Sequence, residues 1–176
     1  MAKRPLAALF ADKVFEDMEA MYPYYRLLEA GFDVHVISPE PVGTTFEGKF
    51  GYPLISTHTI KKVKAKDYSC LIVPGGWAPD RLRRYKEILD FTREIHTRRK
   101  VIGSICHGPW VLASAGILKG KTMTSVTAIK DDMINAGAKW VNQEVAFDSQ
   151  IVTSRTPADL PAFMKMIVKL CESEKF

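Results

Sequence analysis

No apolar run in this sequence approaches the roughly twenty residues that a membrane-spanning helix needs, so a transmembrane span and a membrane partner are not expected. Cysteine is sparse: Cys70, Cys106 and Cys171 are odd in number, far apart and without a C-x-x-C pair. That argues against a disulfide framework and against a zinc site, and leads us to expect reduced thiols with no metal and no cofactor. Internal repeats, low-complexity tracts and Gly/Pro/Ser linkers are missing as well, and one domain over residues 1–176 is the expectation. The first short apolar run, Leu6 to Ala11, meets a charge at Asp12 and lacks a small-residue cleavage site, so a secretory signal is not expected and the cytoplasm is. A net charge of +5 could suggest nucleic acid, but the basic residues fall in scattered groups (Lys61, Lys62, Lys64 and Lys66; Arg81, Arg83 and Arg84; Arg98, Arg99 and Lys100). Without a binding motif these read as solvated faces, and no nucleic-acid partner is expected.

What is present is alternation. Leu6 to Ala11 reads as a buried strand, followed by a helix from Glu16 to Ala30 that carries Met18, Met21, Tyr22, Tyr25 and Leu28 at helical spacing. Phe32 to Ser38 alternates as a second strand, and Thr44–Phe46 with Tyr52–Ile55 predicts a small hairpin. Ser69 to Val73 is an apolar strand broken by Pro74-Gly75-Gly76, then Lys86 to Arg99 is an amphipathic helix and Lys100 to Ile105 another strand. Helices at 109–115, 129–136 and 157–171 and strands at 144–147 and 151–154 complete the pattern. Strands alternating with helices, several of them apolar throughout, predict an α/β fold: a three-layer flavodoxin-like sandwich with a mainly parallel sheet.

In such sheets the ligand crevice lies beyond the carboxyl ends of the strands, where helix N-termini offer free N–H groups. That rule selects Glu16 after the first strand, Gly75 to Asp80 after the third and Cys106-His107-Gly108 after the fourth. Ser104-Ile105-Cys106-His107-Gly108 has the form of a nucleophile elbow, with small residues two before and two after a cysteine. A thiol at a helix N-terminus should have a lowered pKa, which marks Cys106 as the expected nucleophile. Cys70 and Cys171 read as packing residues. His107 follows the thiol directly, so its ring is free to aim elsewhere; its backbone N–H is the contribution expected, as half of an oxyanion hole completed by Gly75 or Gly76. A carboxylate at a helix start is favoured by the dipole alone, and Glu16 is compatible with that structural role. If it points at Cys106, desolvation would raise its pKa and suit it to general acid/base work.

With Gly103-Ser104-Ile105-Cys106-His107-Gly108-Pro109 and Pro74-Gly75-Gly76-Trp77-Ala78-Pro79-Asp80-Arg81, the chain resembles the PfpI-like intracellular peptidase family of the ThiJ/PfpI superfamily. Phe15-Glu16-Asp17, Tyr22-Pro23, the segment 129–137 and the segment 154–160 extend the resemblance from about Leu6 to Leu170. It implies Cys106 as nucleophile, Glu16 as its acidic partner, His107 as the adjacent histidine, and Gly76 with His107 as oxyanion donors. It also implies a triad completed across a subunit interface, for which the matching residue is Asp80, one methylene shorter than the family's glutamate. Val126 stands where the peptidase-like members carry an aromatic residue. The superfamily includes enzymes acting on methylglyoxal and glycated adducts, so the expected function is a cysteine-dependent glyoxalase or deglycase acting on a small carbonyl or glycated substrate. The alternatives are a cysteine peptidase with a Cys106-His107-Asp80 triad acting on peptides, or a non-enzymatic stress chaperone or oxidation sensor. A homodimer is implied, with a hexamer as the larger form.

Overall fold

The computed structural model describes residues 4–173, so residues 1–3 and 174–176 of the expected domain lie outside the described residues. In chain order the elements are β1 (Leu6–Phe10), α1 (Asp17–Glu29), β2 (Asp33–Ser38), β3 (Thr45–Glu47), β4 (Pro53–Ile55), β5 (His58–Thr59), β6 (Tyr68–Val73), α2 (Ala78–Leu82) and α3 (Lys86–Thr97). There follow β7 (Val101–Ile105), α4 (Pro109–Ser114), β8 (Thr122–Met123), α5 (Lys130–Asn135), β9 (Lys139–Trp140), β10 (Val145–Asp148), β11 (Ile151–Ser154) and α6 (Leu160–Ser173).

A seven-stranded sheet runs β10-β11-β7-β6-β1-β2-β5, parallel except for the antiparallel pairing of β10 with β11. Helices cover both faces, which is why β6 and β7 are buried at every residue and read as unbroken apolar runs rather than alternating ones. This is the mainly parallel α/β sandwich that the alternation predicts. The chain goes from β1 outward to β2 on one side and returns to β6 on the other, so the strand order reverses between β1 and β6 and a crevice opens beyond their carboxyl ends.

Sequence periodicity located the long elements to within three residues, and the hairpin appears as β3 paired antiparallel with β4. It did not predict α2, β5 or β9, which are two to five residues long and depend on tertiary contacts for their stability. Two of these short features shape the crevice. The loop after β1 bridges the loop after β6, where Phe15 pairs with Gly76, Trp77 N–H donates to Val14 O at 2.8 Å and Glu16 N–H to Gly75 O at 3.2 Å. The turn of the β3–β4 hairpin is fastened over the same place by Lys49 N–H to Phe15 O at 2.7 Å and by the Asp17 carboxylate, which accepts from the N–H groups of Phe50 and Tyr52 at 2.8 Å each.

Candidate active site

Cys106 closes β7 with φ 60°, a left-handed conformation that a residue with a side chain adopts only when its surroundings impose it. The surroundings do so: its N–H donates to Ser154 O at 3.1 Å, its O accepts from Val126 N–H at 3.3 Å, and Gly108 N–H closes the turn onto Ile105 O at 2.8 Å. Gly108 has to be glycine because a Cβ there would run into Val73 O and lie 2.7 Å from Ser104 Oγ. The result is the strand-to-helix elbow expected at this position, with the sulfur raised above the sheet edge and α4 beginning three residues later.

Two backbone N–H groups, from His107 and Gly76, point at the sulfur. These are the two residues that the resemblance names as oxyanion donors. Gly75, named beside them, is differently used: its N–H donates to Glu19 Oε2 at 2.8 Å and is not available to a substrate. Gly75 also has to be glycine, since a Cβ there would lie 2.5 Å from Glu19 Oε2 and 2.7 Å from Cys106 Cβ.

That contact shows where the acid sits. Sequence reasoning put the acidic partner at Glu16, but the carboxyl in contact with the thiol is that of Glu19, one turn on. Glu16 lines the same cavity, while its Oε2 caps α1 by accepting from Glu19 N–H at 2.8 Å. The reason is helical geometry: residues three apart stack along one face, so the first carboxylate is used up at the helix end and the second reaches inward. Glu19 is fully buried, and its Oε1 has no conventional hydrogen-bond partner. Burial first, then the neighbouring Glu16 charge, raise its pKa to about 8. A signal for this was available. Glu19 lies next to Ala20, Pro23 and Leu27 on the buried stripe of α1, where an unpaired acid is costly unless it has a task.

The thiol is not lowered as a helix N-terminus would suggest. Burial and the adjoining Glu19 carboxyl push it up to about 12, against the downward pull of the His107 and Gly76 N–H groups. α4 has only six residues, and its dipole is too short to compete with a buried acid in contact with the sulfur. The His107 ring does reach the thiol, with Nδ1 3.3 Å from Sγ and an edge-on contact to the Trp110 ring. Burial lowers its pKa, with the Lys49 charge adding to the effect, so the imidazole is favoured as the neutral form.

Asp80 is not among the residues around the thiol. It lies on α2, where its carboxylate is paired with Arg84 one turn further on. The cavity over the sulfur measures about 170 Å³ and is lined by Glu16, Lys49, Gly76, Trp77, Cys106, His107 and Trp110. Sequence pointed to Trp77 only as part of the Gly75–Asp80 loop and did not single out Lys49 or Trp110. Lys49 in particular enters through the β3–β4 turn, which is fixed by hydrogen bonds to residues more than thirty positions away. Among the described residues no group of three or more His, Cys, Asp or Glu side chains could hold a metal ion.

The DJ-1/PfpI family model matches residues 6–170. The chain is 46% identical over 156 residues to Deglycase PH1704 of Pyrococcus horikoshii, covering 89% of this chain and 93% of that protein. It is 39% identical over 172 residues to Protein/nucleic acid deglycase 2 of Escherichia coli, covering 97% and 98%. A solved two-domain protein of Anabaena variabilis, with DJ-1/ThiJ/PfpI-like and ferritin-like domains, superposes with a TM-score of 0.94 at 32% identity over 96% of this chain. The chain spans about half the length of that two-domain protein, 48%.

Proposed function

Because the chain belongs to the DJ-1/PfpI family, we propose that it is a deglycase-type enzyme in which the Cys106 sulfur attacks the carbonyl of a small reactive aldehyde or of its adduct on an amine. The observation that carries this reading is the contact between Cys106 and the buried carboxyl of Glu19, raised to about 8 by its burial, beneath two convergent N–H groups. Although the thiol taken singly is pushed higher than the carboxyl, the one negative charge shared by the pair is better placed on sulfur for its hydrogen bonds. There it meets the N–H groups of Gly76 and His107 and a proton on Glu19, whereas on the carboxyl it meets the Gly75 N–H and the thiol proton.

With methylglyoxal, sulfur bonds to the aldehyde carbon and the carbonyl electron pair moves to oxygen, which takes a proton from Glu19 to give a hemithioacetal. The Glu19 carboxylate then removes the proton from the former aldehyde carbon and returns it to the adjacent ketone carbon, while the hydroxyl proton on the former aldehyde carbon passes to the ketone oxygen. The aldehyde carbon is thereby oxidised to a thioester as its neighbour is reduced to a carbinol, and no outside oxidant is needed. Water cleaves the thioester to a hydroxy acid and restores the thiol. His107 Nδ1, at 3.3 Å from sulfur, is in position to take the thiol proton when the pair carries two.

The cavity suits this chemistry. About 170 Å³ is close to the roughly 150 Å³ that admits benzene, so it takes a small carbonyl or the modified end of a larger molecule. A second reading, an intracellular cysteine peptidase, draws on the Cys106–His107 contact. It requires Asp80 to leave Arg84 and serve a partner subunit's site. Steady-state turnover of methylglyoxal, a methylglyoxal-modified amine and a fluorogenic peptide separates the two. We expect the carbonyl substrates to be consumed, Cys106→Ser to abolish turnover, and Glu19→Gln to lower kcat/KM about 10²-fold or more, with Glu16→Gln milder. Full carbonyl turnover by Cys106→Ser would overturn the proposal, and peptide cleavage alone would favour the peptidase.

A further inference from the structure

We infer that Lys49 is the specificity-determining residue of this site, an anion receptor that selects carbonyl substrates bearing a carboxylate; as a statement about substrates, this rests on the function proposed above. Lys49 is the one lysine or arginine lining the cavity that contains the thiol. Its ammonium has no carboxylate partner within ion-pairing distance among the described residues and lies over the neighbouring Phe50 ring, 5.2 Å from the centroid. The other basic residues near the crevice are engaged: Arg81 with Asp12, Arg84 with Asp80, and Arg83 with Ser114 and the Trp110 ring. A cation left unpaired beside a reactive centre is available to a substrate.

The backbone beneath Lys49 is held more tightly than a surface turn requires. Its own N–H donates to Phe15 O, the two N–H groups that follow at Phe50 and Tyr52 converge on the Asp17 carboxylate, and Val14 N–H donates to Glu47 O at 3.0 Å. The side chain is exposed, so the turn fixes where the ammonium starts while leaving it free to meet a ligand. Its charge is felt by Glu16, Glu19 and His107, three groups on two other parts of the chain that surround the sulfur. Trp77, Trp110 and Gly76 add no charge to the lining, and its one carboxylate, Glu16, is turned to the start of α1, where its Oε2 accepts from Glu19 N–H. The ligand chemistry that fits is a 2-oxoaldehyde that also carries a carboxylate, or a glycated amino acid whose free carboxylate lies a few bonds from the adduct carbon.

Two alkylating reagents of nearly equal shape test the receptor without relying on turnover. Iodoacetate is anionic and iodoacetamide neutral, and each forms a C–S bond to the Cys106 sulfur as iodide leaves. The ratio of their rates cancels any change in thiolate content. In the full-length protein with Cys70 and Cys171 intact, modification at Cys106 is followed by mass spectrometry at low ionic strength. We expect the iodoacetate-to-iodoacetamide ratio to fall about 5–10-fold in Lys49→Met, to recover in Lys49→Arg, and to shrink in wild type as salt is raised. A ratio unchanged in Lys49→Met overturns the inference. In parallel, the ratio of kcat/KM for 4,5-dioxovalerate, a 2-oxoaldehyde that carries a carboxylate, to kcat/KM for methylglyoxal should fall in Lys49→Met by a similar factor. Equal losses on both substrates also overturn it. If wild type turns over neither carbonyl but the alkylation ratio behaves as expected, the proposed reaction fails and the anion receptor stands.

Discussion

A thiol and a carboxyl buried in contact cannot both ionise without placing two negative charges in a poorly solvated space, so their protons leave as those of a pair. The first is lost near pH 8, where the Glu19 value lies, and the second far higher, where the thiol is pushed. If the remaining proton rests on Glu19, Cys106 becomes nucleophilic as the first proton departs. The expected result is an iodoacetamide alkylation rate at Cys106 that rises with pH to a limb centred near 8 and then levels. A rate that climbs only toward pH 12 would place the proton on sulfur and remove Glu19 as its donor. Glu19→Gln leaves the burial that raises the thiol most and removes only the carboxyl's share, so the variant should show a single thiol limb above the range of an exposed cysteine. At this scale the sequence was half legible. The elbow exposed Cys106 and His107 because it is local, a matter of small residues at fixed offsets. Glu19 was hidden behind Glu16, since both fit the start of a helix and only the packed face of α1 tells them apart.

Elements were legible in proportion to their length. The period of α1 and the apolar runs of β6 and β7 carry enough residues to announce themselves, whereas α2 is one and a half turns held by contacts from Val14 and Phe15. The hairpin that carries Lys49 was legible too, but its place over the thiol was not, because that is decided by Asp17, far away along the chain. The elbow between β7 and α4 can be tested as an element. Gly108 has φ −48° and ψ −40°, which alanine adopts readily, so any cost of Gly108→Ala is steric and comes from crowding against Val73 O, Ser104 and Ile105 O. We expect a loss of about 1–3 kcal/mol, seen as a Tm fall of roughly 3–10 °C in calorimetry, with slower alkylation of Cys106 as the turn opens. An unchanged Tm would mean that the elbow relaxes freely and does not hold the sulfur in place.

For the molecule as a whole, the sheet brings these parts together. Only the reversal of strand order between β1 and β6 puts the start of α1, the Gly75-Gly76 loop and the neighbouring elbow at one edge, and that order is set by tertiary pairing rather than by any single segment. Placing an acid in that crevice has a consequence for global stability. Glu19 has a folded pKa of about 8 against an ordinary 4.5. Between those values the folded protein keeps a proton that the unfolded chain has already released, so the unfolded state binds fewer protons and stability falls as pH rises. The loss begins near pH 4.5, continues to about 8 and then flattens. Complete burial of the side chain means that solvent does not screen the effect away, although sharing of charge with Cys106 reduces it. Urea unfolding at pH 5 and pH 8 should therefore show a wild-type decline that exceeds that of Glu19→Gln by about 2–4 kcal/mol. The glutamine retains an acceptor for the Gly75 N–H and has no carboxyl to ionise, so it should match wild type near pH 5 and be the more stable protein at pH 8. Parallel pH profiles for the two proteins would show that Glu19 ionises in the folded state as easily as in the unfolded one, and the proton proposed for the reaction would have to be carried elsewhere.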